Sequence, residues 1–157
     1  MPVHSIVIVN MLSGKILLSR CYETSSSLSS YELQLSKELE PYHNKLRNNN
    51  KRYTLRLPPL PSSSSSSSSD VYVVFQGIQD LVLIASGTDD IDEIILSSIL
   101  DSLVSLLTTL LDHKLVESSL SNTDTYTKLL VCLDEMFPQG IIETLDIERV
   151  QQMIKLK

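Results

Sequence analysis

The chain has no tryptophan, two phenylalanines and only four glycines among its 157 residues. With aromatics at 5%, any core has to be packed mainly by aliphatic side chains. None of the four glycines falls in a phosphate-binding loop or a dinucleotide fingerprint, which excludes the commonest nucleotide-site motifs. Cysteine is equally scarce. Cys21 and Cys132 are far apart in sequence and read as free thiols of a reducing compartment, not as a disulfide framework. Positive charge is in deficit, with 13 Lys and Arg against 19 Asp and Glu and a net charge of −6. That balance argues against non-specific nucleic-acid binding, which needs clustered cations. No apolar run approaches the ~20 residues that span a bilayer. The short run Ile6–Val9 lacks a charged lead-in and ends at Asn10, so it reads as a strand and not as a signal peptide. The expectation is a soluble protein that reaches membranes only through partners.

What is present is a foldable composition, 42% hydrophobic, long enough for one domain over residues 1–157. Val3–Val9, the turn signal Ser13-Gly14 and Lys15–Tyr22 predict an opening β-hairpin. Ser25–Ser30 offers N-caps for a helix over Tyr31–Glu40, with Leu28, Leu35 and Leu39 on its apolar side and Pro41 at its end. Asn48-Asn49-Asn50 is loop. Tyr53–Leu57 alternates as an exposed edge strand, closed by Pro58, Pro59 and Pro61. Ser62–Ser69 buries nothing, so residues 58–70 read as a flexible Pro/Ser-rich insertion. Val71–Gln76 and Leu81–Ala85 form a second hairpin around Gly77-Ile78-Gln79-Asp80. Asp89-Asp90 opens a long helix over Ile91–His113, a further helix starts near Thr125, and a last one near Asp146.

Three strands are apolar almost continuously, which predicts a sheet covered on both faces. The long helix is apolar over more than one stripe. Ile91, Ile95, Ile99, Leu103, Leu106 and Leu110 would face the sheet. Leu96, Leu100, Val104, Leu107 and Leu111 widen that sector, to be covered by the following helix or by a large partner chain. The basic residues Lys45, Arg47, Lys51, Arg52 and Arg56 form either a solvated loop or a contact for acidic lipid or an acidic partner.

Chemistry is hard to find. His4, His43 and His113 have no second ligand-type residue at metal spacing. A Ser-His-Asp site needs a positioned nucleophile, yet the serines cluster in loops and on the polar helix face. Asp134 and Glu135 are adjacent, so they point in different directions and make no carboxylate dyad. No catalytic residue, cofactor site, metal site or small-molecule substrate is expected.

The last quarter is the most informative stretch. Leu129, Leu130, Leu133 and Phe137 lie on one helical face, Pro138 and Gly140 forbid continuation, and Thr144 can cap a final helix. The run Leu133-Asp134-Glu135-Met136-Phe137 with Gly140, Ile142 and Thr144 resembles the closing signature of the small sigma subunits of clathrin adaptor complexes and their coatomer zeta cousins. Asn10, Gly14, Lys15 and Tyr22 resemble the first hairpin of the same family. The resemblance implies a longin-like α/β (α+β) fold: a five-stranded, mainly antiparallel sheet between helices, in the order β-β-α-β-β-β-α-α plus a last helix.

The resemblance also implies a non-catalytic subunit packed on an adaptin-like large chain, alongside a medium-type chain. Such a complex is cytoplasmic and peripheral to a membrane. Leu100, Val104, Leu107, Leu133, Asp134, Glu135, Met136, Phe137, Gly140 and Thr144 are the expected motif and partner-interface residues. Family members carry a basic residue two positions after the Gly-Lys pair, which holds the acidic residue of dileucine signals. Leu17 stands there, so this position supplies no such charge. That departure, with the polar insertions, points to a TPLATE-type endocytic branch at the plasma membrane and clathrin-coated pits. Clathrin-adaptor sigma and coatomer zeta are the alternatives. A free-standing longin-type regulator of a small GTPase is the alternative of another class.

Overall fold

The computed structural model describes residues 3–22, 37, 51–57, 71–87 and 93–155. Five strands come first: β1 Val3–Asn10, β2 Ile16–Cys21, β3 Arg52–Leu57, β4 Val71–Ile78 and β5 Leu81–Gly87. They are followed by α1 Glu93–Leu110, α2 Glu117–Leu120, α3 Thr123–Met136, a 3-10 turn Pro138–Gly140, and α4 Ile147–Lys155. Of the helix expected over Tyr31–Glu40, Lys37 alone is described, helical and exposed. His43, the prolines at 58, 59 and 61, the Ser62–Ser69 tract and Asp89-Asp90 lie outside the described residues.

The strands form one sheet in the order β2-β1-β5-β4-β3, antiparallel at every pairing. The fold is longin-like, as the order of elements implied. Its hairpins follow from local sequence. The β4–β5 turn is only Gln79-Asp80, because Ile78 already pairs with Leu81, so the strands run two residues further than expected.

All seven residues of β5 are buried, and alternation assigns them to two cores. Leu81, Leu83 and Ala85 join Ile6, Ile8, Leu18 and Val74 on the face that carries the described helices. Val82 and Ile84 join Val7, Val73 and Phe75 on the opposite face, where Tyr53 stacks on Phe75 at 5.7 Å between ring centroids. The described helices place their buried apolar residues in the first core, whereas the second holds strand residues and Met11 of the β1–β2 turn.

A bulge adjusts this pattern. Val3 pairs with Gly87 and Ser5 with Ser86, so His4 is extra, and Val3 moves to the helix face with Ile6 and Ile8. A second irregularity lies in β2. Ile8 pairs with Leu18 and Val9 with Ile16, which leaves Leu17 opposite no residue. Its half-buried side chain packs on the first core.

Helix α1 packs on β4 and β5. Leu96, Ile99, Leu100, Leu103, Leu106 and Leu107 are wholly buried, and Ile95, Val104 and Leu110 partly so. Helices α3 and α4 cover the flank of α1 that the sheet leaves open, so the broad apolar sector is covered from within the chain. At 18 residues α1 is also long and apolar enough to cross a membrane by length and composition, contrary to the expectation from sequence. Here that apolarity is spent on the core. The helix ends at Leu110, short of the expected His113. Left-handed Asp112 (φ 52°) turns the chain, and the His113 N–H returns to the Thr108 carbonyl at 2.9 Å.

The expected basic cluster is partly committed to the fold. Arg52 donates from Nε to Gln76 Oε1 (2.8 Å) and from Nη1 to the Ser97 carbonyl (3.0 Å), and it pairs with Asp101 through Nη2. Arg56 lies over the Tyr72 ring. One guanidinium thus ties the edge strand β3 to α1. Replacing Arg52 by Ala is expected to lower unfolding free energy by about 1–2 kcal/mol, since two partly buried acceptors lose their donor. Asp101→Asn is expected to cost under ~1 kcal/mol, because that carboxylate is mostly in solvent. Urea unfolding of the two variants measures the difference.

Candidate partner-binding site

Helix α3 begins at Thr123 because Asn122 caps it, its Oδ1 accepting from the N–H groups of Asp124 (3.0 Å) and Thr125 (3.3 Å). Leu129, Cys132, Leu133 and Met136 point into the core, with Phe137 behind them. The last helical bond is from Phe137 N–H to the Leu133 carbonyl at 2.8 Å. Pro138 has no N–H to continue it. The chain then turns through left-handed Gln139 (φ 54°) and Gly140 (φ 84°).

Gly140 is required twice over. Its φ is one that side chains resist, and a Cβ there would stand 2.8 Å from Tyr22 Cβ and 3.0 Å from the Val3 carbonyl oxygen. The motif glycine is therefore the point at which the end of α3 presses onto β1 and the end of β2. Beyond it, Glu143 N–H returns to the Met136 carbonyl at 2.8 Å.

The same junction holds a charged pair. Arg20 on β2 meets Asp134 on α3 through Nη2 and Oδ1, with both side chains partly in solvent. Tyr22 follows two residues on, its N–H bonded to the carbonyl of the bulged His4 at 3.0 Å. Burial pushes the Tyr22 phenol up to about 12, with Asp134 adding to the rise and Arg20 opposing it. Ser19 Oγ, Arg20 Nε and Tyr22 OH are buried with no hydrogen-bond partner among the described residues.

The first-hairpin signature has a physical reading as well. Asn10 Oδ1 accepts from the N–H groups of Leu12 (2.8 Å) and Ser13 (3.1 Å), while its Nδ2 donates to Glu117 Oε2 at 2.7 Å. Lys15 reaches Glu117 Oε1 at 3.2 Å. Gly14 (φ 72°) has open space where a Cβ would be, so it serves the turn's backbone alone. Asn10 and Lys15 dock the hairpin on α2 through Glu117, a helix not expected from the sequence.

Of the expected interface residues, Leu100, Leu107, Leu133, Met136 and Phe137 are wholly buried in this chain's own core. Gly140 is buried and Val104 half-buried. Asp134 is exposed and Glu135 half-exposed. Thr144 is half-buried and does not cap the last helix directly. Asp146 does so, its Oδ1 accepting from Glu148 N–H (3.1 Å) and Arg149 N–H (3.4 Å), while Thr144 Oγ1 accepts from Asp146 N–H at 3.1 Å. The cap lies two residues later because Thr144 and Asp146 turn the chain in tandem.

Outside this core, Val131 is 37% and Ile141 53% exposed. Val131 and Asp134 lie three residues apart on the outer side of α3, and Pro138 and Ile141 are exposed in and just beyond the turn that follows. The buried residues shape this surface and the exposed ones present it. Only their accessibility separates the two groups, and the motif itself carries no mark of it.

Folding also brings together residues far apart in sequence. Ser5 Oγ and Ser86 Oγ are 2.5 Å apart across β1 and β5, and His4 Nδ1 lies 3.4 Å from Ser86 Oγ. A histidine beside a serine invites a catalytic reading. All three residues are buried, however, so substrate has no access. The trio satisfies polar groups beside the bulge. Cys132 is likewise no nucleophile, as burial, helped by Glu135, pushes its thiol up to about 11. Among the described residues no group of three His, Cys, Asp or Glu could hold a metal ion.

No family model matches this chain, and no curated protein does. Among solved structures the chain is similar to one in a structure described as a homology model of the full-length AP-3 complex in a stretched open conformation. The TM-score is 0.64 at 16% identity, over 98% of this chain and 92% of that one. The likeness runs end to end. At that identity it speaks for a shared fold, that of a chain of an adaptor complex.

Two outcomes are expected at the junction. Gly140→Ala adds a Cβ against backbone and Tyr22 and strains the left-handed φ, so it is expected to cost about 2–4 kcal/mol of stability in urea unfolding. Tyr22 is protonated in the folded state beyond the pH at which the unfolded phenol ionises. Its contribution is therefore fully present below about pH 10 and lost as pH rises from there towards 12. Tyr22→Phe is expected to flatten stability over that window and to cost little elsewhere, because the hydroxyl has no partner among the described residues. Denaturation across pH 9–12 reads both effects.

Proposed function

We propose that this chain is a small, non-catalytic subunit of a vesicle-coat adaptor complex. One observation carries the reading: nearly the whole chain shares its fold with a chain of an adaptor complex. The resemblance of the hairpin and tail signatures supports it, since the residues that carry them hold the two ends of the fold in place. In this role the chain works as a shaped block. It docks on an adaptin-like large subunit, beside a medium-type subunit, and meets membrane only through the complex, on the cytoplasmic side.

The docking surface is the outer side of α3 with the turn that follows it. Val131 and Ile141 supply exposed apolar anchors, and Asp134, Glu135 and Glu143 supply a charged rim. An exposed aliphatic pair flanked by carboxylates suits a partner surface with apolar pockets and basic margins. Within the adaptor class we place the chain in a TPLATE-type, endocytic complex at the plasma membrane and clathrin-coated pits. Leu17 supports that placement, since a half-buried leucine offers no cation to the acidic residue of a dileucine signal.

The test is purification of the tagged chain from its own cells, with mass spectrometry of stoichiometric partners. Recovery of a TPLATE-type large chain with a medium-type chain is the expected result. Clathrin-adaptor or coatomer large chains would retain the class and move the membrane. A small GTPase with no adaptin-like chain would overturn the reading. Val131→Asp with Ile141→Asp is expected to lower large-chain recovery at least tenfold with unchanged circular dichroism. Ile94→Asp, at a residue 76% exposed on α1, is expected to leave recovery intact.

A further inference from the structure

We draw no further inference here: the strongest candidate, the side-chain cluster of Arg20, Tyr22 and Asp134 where β2 meets the end of α3, belongs to the junction already described, and nothing among the described residues shows what would bind there.

Discussion

Burial of β5 on both faces is the constraint from which the remainder of the architecture follows. A strand with every side chain out of water must be central, must pair on both edges, and must have apolar material above and below. Its neighbours β1 and β4 meet the pairing demand and share its apolar character. The edges fall to β2 and β3, which carry arginines that can reach solvent and acidic partners. Each fully buried aliphatic side chain in this arrangement is worth roughly 1.5–3 kcal/mol relative to exposure. The strand cores therefore outweigh any polar contact at the periphery.

The helix face inherits its layout from that sheet. Helix α1 crosses β4 and β5 and leaves one flank apolar, which α3 and α4 close. Closing it brings the end of α3 against the start of β1, where space is so limited that a hydrogen atom is all that Gly140 can carry. Phe137, the bulge at His4 and the ring of Tyr22 crowd round the same point. The Arg20–Asp134 pair at the rim contributes modestly, since both side chains reach solvent, but it fixes the orientation of α3 on β2. The adaptor-like motif is thus an account of how this junction closes. Its buried members shape a surface that Val131, Asp134 and Ile141 present.

Among the described residues, His4 and the serines beside it, Ser5 and Ser86, are buried between strands, and burial pushes the Cys132 thiol up. What the region exposes is Val131 and Ile141, with Asp134 and Glu143 near them in sequence.

Much was legible in the sequence because local physics decides it. Continuous β-branched runs made strands, Asn10 and Gly14 made a turn, and Pro138 with Gly140 made a stop. The period of the long helix announced a broad apolar face. What sequence could not separate was core from interface among the leucines, because hydrophobicity is the same whether a side chain meets its own chain or another. Leu100, Leu107 and Phe137 are interior because α3 and α4 arrive to cover them, and their arrival depends on contacts across more than a hundred residues. The bulge at His4, the docking of Asn10 and Lys15 on Glu117, and the shift of the cap from Thr144 to Asp146 were decided the same way. Composition and periodicity determined which elements form and which faces are apolar. Only the tertiary structure determined what each face meets, because that depends on packing between segments that sequence order keeps apart.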